Sequence, residues 1–200
     1  MNGSDSSGEP RQADNDSGRR KTIEAIEAET RLQPFTVDRI EAEIAKRLPV
    51  EARADGTQEI VIIMGPICAG KTTLRRQKYS SGHVLVDAAQ IFIDLGGIDL
   101  DFPSTLLETM EAVGAEVARR AVAGRMNIVT EIVGAQSDLV IGLIGEMRAA
   151  GYQVKLECVT LDLPACLERE KGRTQDNVSA YYSEYYQMTW LIQAARTYRQ

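Results

Sequence analysis

The segment Gly65-Pro66-Ile67-Cys68-Ala69-Gly70-Lys71-Thr72 fits the pattern G-x-x-x-x-G-K-[ST], and no other stretch constrains the fold as much. It follows a β-branched run, Glu59 to Met64, and leads into a helical pattern that starts at Gly70. Strand, glycine loop and helix in that order predict a backbone curled at Gly65 and Gly70. Successive N–H groups then point inward and the helix adds its positive dipole end, which makes an anion site. Lys71 is expected to reach the β- and γ-phosphates of ATP, and Thr72 to offer its hydroxyl to Mg²⁺. Pro66, Ile67, Cys68, Ala69 and Thr73 complete the expected nucleotide-binding loop.

The rest of the chain supplies the sheet that such a loop needs. Strands are predicted at Glu59 to Met64, Val84 to Val86, Asn127 to Glu131 and Gln153 to Thr160, the first three nearly continuous in apolar residues. Strands of that kind are covered on both faces. Helices are predicted to start at Gly70, Thr105 and Ser137. The middle one has a capping box in Thr105 and Glu108, the apolar spacing Leu106, Met110, Val113 and Val117, and Gly124 at its end. The alternation implies an α/β P-loop NTPase fold, a largely parallel sheet flanked by helices, with ligands at the carboxyl ends of the strands. We place this P-loop kinase domain at 58–200. Before it, 1–20 reads as a disordered tail almost without apolar side chains. A helical appendage and linker fill 21–57, with Ile23 and Ile26 on a first helix and Val37, Ile40, Ile44 and Leu48 on a second one capped by Thr36.

Composition closes off other classes. The 200-residue chain has a net charge of −6, which gives little general attraction for phosphate backbones and makes duplex nucleic acid an unexpected partner. No apolar run approaches the roughly 20 residues of a membrane span. Three cysteines, Cys68, Cys158 and Cys166, lack metal-ligand spacing, and the start of the chain has no apolar signal core, so a reduced, cytoplasmic protein is expected. A GTPase would need a guanine-reading N-K-x-D segment, and a protein kinase its H-R-D and D-F-G segments; none occurs.

Four further features bear on chemistry. Asp87 ends an apolar strand where a phosphate acceptor would sit beside the loop. It reads as a general base, as a group ordering water around Mg²⁺, or as the N-cap of a helix from Ala88 to Leu95. Glu131 likewise ends a buried strand, facing either a ligand or solvent. The run Glu168-Arg169-Glu170-Lys171-Gly172-Arg173 reads as a lid whose Arg169 and Arg173 close over the triphosphate, or as a solvated helix end. The last helix, about Val178 to Arg199, carries five of the seven tyrosines. Tyr181, Tyr185, Met188 and Ile192 share a face on it, as core or as an aromatic wall for a base or sugar.

On these residues, about Glu59 to Tyr186 resembles the zeta toxin family of small P-loop kinases. The points of likeness are the G-P-x-x-A-G-K-[ST] loop, Asp87 after the second strand, Asn127-Ile128-Val129-Thr130-Glu131 as the third, and Gly151-Tyr152 before the fourth. The family transfers the γ-phosphate of ATP to a hydroxyl of a nucleotide sugar, commonly UDP-N-acetylglucosamine, and antitoxin partners block its ATP site. The resemblance implies that Lys71 and Thr72 bind phosphate and Mg²⁺, Asp87 is the base, Glu131 contacts the sugar, and Arg169 and Arg173 are lid arginines. Two positions depart from the pattern. Many members have D-x-D after strand two where this chain has Asp87-Ala88-Ala89, and a hydroxyl residue where it has Val133. The expected function is therefore ATP-dependent phosphorylation of a small molecule or nucleotide sugar. The alternatives are a polynucleotide or nucleoside kinase, and a nucleotide-binding regulatory module without transfer.

Overall fold

The computed structural model describes residues 36–54, 56–95, 104–171 and 178–199. The expected tail at 1–20, the helix around Ile23 and Ile26, and Arg173 lie outside the described residues. Four strands form one sheet: β1 (Glu59–Met64), β2 (Val84–Leu85), β3 (Ile128–Ile132) and β4 (Gln153–Cys158), in the order β2-β3-β1-β4. All pairings are parallel, with Ile60 opposite Ile128 and Val154, and Val84 opposite Ile128. Ile60, Val61, Ile62 and Ile63 are fully buried, because β1 has a strand on each side and helices on each face. The edge strand β4 is different. Gln153, Lys155 and Cys158 are exposed, and a lysine on an open edge discourages pairing with another chain.

Seven α-helices are present among the described residues: α1 (Val37–Lys46), α2 (Lys71–Lys78), α3 (Ala88–Asp94), α4 (Ser104–Ala123), α5 (Ser137–Ala149), α6 (Leu163–Lys171) and α7 (Val178–Thr197). None is long and apolar enough to cross a membrane. Thr36 caps α1 by accepting from the Arg39 N–H at 3.3 Å, and α1 lies against α4. On one face of the sheet, Leu74 of α2 packs with Val61, Ile63, Tyr79 and Val129. On the other, α7 lies across β3 and between α4 and α5.

The periodic residues of α4, Leu106, Met110, Val113 and Val117, are all buried. Its start differs from the sequence expectation. The helix begins at Ser104, so Thr105 lies inside the first turn. At the other end the helix stops before Gly124, as expected, and the left-handed residue that follows is Arg125, with φ 52°. Met126 N–H donates to Ala121 O and Arg125 N–H to Val122 O, which is a Schellman closure with Arg125 in the position glycine usually takes. Gly151, φ 89°, closes α5 in the same way and leads the chain into β4.

Of the face expected on α7, Met188 and Ile192 are buried and Tyr185 is not. Glu184, Gln187, Met188, Leu191 and Ala195 are buried, whereas Tyr185 is 49% exposed. The side chains of Tyr181 and Tyr182 lie outside the described residues. Trp190 is buried against α4 at Gly114, where a Cβ would stand 2.1 Å from the indole Cζ3. Gly114 is thus the contact that lets the two helices approach. Gly114→Ala is expected to lower stability by about 1–3 kcal/mol through overpacking, measured by denaturant unfolding. Gly145→Ala on α5, where nothing lies within 4 Å of the added carbon, should leave stability unchanged or raise it.

Candidate phosphate-binding site

The site begins with the way β1 ends. The Met64 carbonyl accepts from the Val159 N–H at 2.8 Å, and the Gly65 N–H donates to the Ile132 carbonyl at 3.2 Å, so the strand end is held from both sides. A Cβ on Gly65 would lie 2.3 Å from the Val159 carbonyl oxygen. Gly65 is therefore required by close approach rather than by dihedral freedom. The left-handed residues of the loop are Cys68, φ 60°, and Gly70, φ 104°. Between them they turn the chain into α2, and the Ala69 N–H closes the bend on the Pro66 carbonyl at 3.2 Å. No side chain caps α2 at Gly70, so its first-turn amides face the loop.

Lys71 folds back over this loop, donating from Nζ to the carbonyls of Gly65 at 2.8 Å and Pro66 at 2.9 Å. One residue on, Thr72 Oγ1 donates to Glu131 Oε2 at 2.7 Å. Glu131 Oε1 accepts from Arg75 Nε at 2.5 Å, an ion pair with both side chains largely out of solvent. α2 thus presents lysine, threonine and arginine to the ends of β1 and β3. Arg169 of α6 donates to the Cys68 carbonyl at 3.3 Å, which brings that arginine to the outer turn of the loop. Thr73 is exposed.

Asp87 stands at the head of α3 and accepts from the Gln90 N–H at 3.1 Å, the N-cap geometry. Continuing the register of β2 and β3, in which Leu85 faces Val129, sets Asp87 opposite Glu131. Burial pushes the Asp87 carboxyl up to about 6, and the negative charge of Glu131 adds to the rise. The Gln90 N–H and the Arg75 charge pull the other way. Asp87 also lines a cavity of about 220 Å³ whose wall includes Arg47, His83, Gln90 and Asp94. His83 itself is engaged with the Glu59 carboxylate at 2.9 Å and lies edge-on to Tyr79.

The sequence-predicted residues from Gly65 to Thr73 therefore meet Glu131 and Arg169, with Asp87 across from Glu131. Three contributors were not anticipated. Arg75, one helical turn after Lys71, engages Glu131. Glu184 accepts from the Val133 and Gly134 N–H groups at 2.8 and 2.9 Å. Gln187 bonds Ala88, Thr130 and Glu131. The available signal was a pair of polar residues three apart on the buried face of α7.

A glycine-bounded loop with a lysine folded over it and an uncapped helix N-terminus behind it suits a polyphosphate. The Thr72 hydroxyl is a hard oxygen donor of the kind Mg²⁺ takes. Among the described residues no group of three or more His, Cys, Asp or Glu is gathered for a metal.

No protein-family profile matches the chain, and neither does any curated protein sequence. Among solved structures, one from the PezAT chromosomal toxin–antitoxin system of Streptococcus pneumoniae aligns with a TM-score of 0.54 at 15% identity, over 68% of this chain and 62% of that one. Two structures of the Pnkp1/Rnl/Hen1 complex, the second described as an RNA repair complex, align with TM-scores of 0.46 and 0.49 at 13% and 12% identity. They cover 58% and 76% of this chain and 40% and 50% of theirs. In every case this chain spans less than two thirds of the other's length. Together with the parallel sheet and the glycine loop, the likeness to the PezAT structure gives this chain a zeta-toxin-like α/β fold.

Proposed function

We propose that the chain is an ATP-dependent kinase that transfers the γ-phosphate to a hydroxyl of a small molecule or nucleotide sugar. The observation that carries this is the meeting of a phosphate loop and two acids at one edge of the sheet. Lys71, Thr72 and Arg169 surround the loop, while the β2–β3 register, continued past Leu85, sets Asp87 opposite Glu131 at the adjoining strand ends. The loop amides and Lys71 bind the triphosphate. Lys71 is near enough to exchange its two carbonyl partners for phosphate oxygens. Thr72 would hold Mg²⁺, which when bound offsets charge that develops on the phosphates. Arg169 adds positive charge from α6, and Arg173 is its proposed companion.

Asp87 takes the proton of the attacking hydroxyl. A carboxyl raised to about 6 is ionised at neutral pH yet more basic than an ordinary aspartate, which is the property a general base needs. Glu131 orients the acceptor with whichever carboxylate oxygen Thr72 or Arg75 gives up. The PezAT neighbour comes from a toxin–antitoxin system, and an antitoxin covering the phosphate loop is part of this proposal. A second reading, nucleotide binding without transfer, draws on the bond from the Gln90 N–H, which employs Asp87 as a cap whether or not it meets a substrate.

Lys71→Ala is expected to abolish phosphoryl transfer from Mg·ATP to a panel of sugar-nucleotide and nucleoside acceptors; turnover at the native rate would overturn the assignment of the loop. Asp87→Asn keeps the cap while removing basicity. It should bind a fluorescent ATP analogue normally and lose on the order of 10²-fold or more in turnover. The native pH–rate profile should rise through about pH 6, and normal turnover by Asp87→Asn would favour binding without transfer.

A stability measurement checks the same carboxyl without any substrate. Its pKa is higher in the folded chain than the 3.8 of an unperturbed aspartate. The folded state therefore binds the proton more tightly, and this group's contribution is most favourable below about pH 4. It is lost as pH rises through about 6. Asp87→Asn should raise Tm at pH 8 by several degrees and by much less at pH 4.5.

A further inference from the structure

Strands β2 and β3 are hydrogen-bonded in a regular alternation: Val84 N–H to the Asn127 carbonyl at 2.8 Å, then Val86 N–H to the Val129 carbonyl at 3.0 Å. The next rung in that alternation joins the Ala88 N–H to the Glu131 carbonyl. Instead, the side chain of Gln187 stands between them. Its Oε1 accepts from the Ala88 N–H at 3.0 Å, and its Nε2 donates to the Glu131 carbonyl at 2.5 Å and to Thr130 Oγ1 at 3.1 Å. Thr130 Oγ1 in turn donates to the Val86 carbonyl at 2.8 Å. Gln187 is 1% exposed, and both its amide oxygen and its amide nitrogen are hydrogen-bonded. An N–H on one side and a carbonyl on the other fix which way the amide points.

We propose that Gln187 is a spacer: its amide replaces the next β2–β3 rung and holds Asp87 and Glu131 apart, setting the width of the cleft an acceptor hydroxyl enters. A primary amide carries the same donor and acceptor as a peptide group, so it can be inserted into a ladder without leaving either strand unsatisfied. Without it, Ala88 N–H and the Glu131 carbonyl can join directly at the ordinary spacing of about 4.8 Å between strands. The two acids, opposite in register, would then be neighbours of like charge at closer range. Leu191, one turn further along α7, is also fully buried but touches neither strand end through a polar group. It provides the control for simple loosening of the helix. The part of this inference that concerns turnover rests on the kinase reading; the spacing does not.

The experiment follows the Asp87 carboxyl carbon by NMR through a pH titration of the full chain without nucleotide. Arg75 and Glu131 face Asp87 from α2 and β3, and Arg47, His83 and Asp94 line the cavity on its other side; all are retained in every variant. Gln187→Met, of similar length but without the amide, should raise the Asp87 midpoint by about one pH unit, because a like charge has moved closer. It should bind the fluorescent ATP analogue within about threefold of native, and move the rising limb of the pH–rate profile by the same amount as the midpoint. Leu191→Ala should lower Tm and leave the midpoint in place. An unchanged or lowered midpoint in Gln187→Met, or an equal rise in Leu191→Ala, overturns the proposal. If Gln187→Met does not fold, Gln187→Asn, too short to reach both strands, is judged by the same midpoint. Failure of Asp87→Asn to slow turnover would remove the kinase reading but not the spacer.

Discussion

The end of β1 is the constraint on which the carboxyl edge of this sheet depends. With its last carbonyl taken by β4 and the next N–H taken by β3, the strand cannot fray, and the chain must leave the sheet in one step at Gly65. Val159 leaves no room there for a side chain. The loop that follows is shaped from both ends, because β1 is clamped and α2 has to start beside β3. Left-handed turns at Cys68 and Gly70 are the backbone's way of reversing within that span. A cysteine in the left-handed region costs about 1 kcal/mol or more relative to glycine, and the surrounding hydrogen bonds hold it there.

Electrostatics at the same edge follows from register. Continued past the end of β2, the register sets Asp87 opposite Glu131, and the Glu131 charge adds to the rise that burial imposes on the Asp87 carboxyl. Arg75 is bonded to Glu131 and acts on Asp87 only from a distance. The two acids are chemically alike in the sequence but differ in surroundings. One is fastened to a threonine and an arginine, and the other is held by the backbone N–H groups of Gln90 and Ala89 and pushed up to about 6 by burial. An uneven division of this kind is how one pair of carboxylates can take different parts in a reaction.

Much of this was readable in the sequence because it is local. The glycine loop, its strand and its helix are consecutive, and the two acids announce themselves by ending apolar runs. What could not be read depends on partners far along the chain. Arg75 meets Glu131 across 56 residues, and Gln187 meets Ala88 across 99. Apolar bulk also misled: tyrosines suggested one face of α7, yet the buried face carries Glu184 and Gln187, and Tyr185 faces outward. Hydrophobic periodicity ranks side chains by transfer energy alone. It cannot foresee a buried amide whose cost is cancelled by a strand end needing both a donor and an acceptor. The same reasoning explains Arg125, where the turn ending α4 selects a position and the hydrogen bonds impose the dihedral on whatever residue stands there.

The two halves of the site are therefore specified on different scales. The phosphate loop is built from neighbours in sequence and needs only β1, α2 and the strands that clamp them. The spacing of the acids needs α7, which contributes through Glu184 at the loop after β3 and through Gln187 between the strands. Contacts separated by so many residues form against a larger loss of chain entropy. Anchoring the helix by Trp190 at Gly114 and by Leu191 in the core gives those polar contacts a rigid base. A buried amide is specific only when its carrier cannot shift, and here apolar packing supplies the rigidity while the amide supplies the distance.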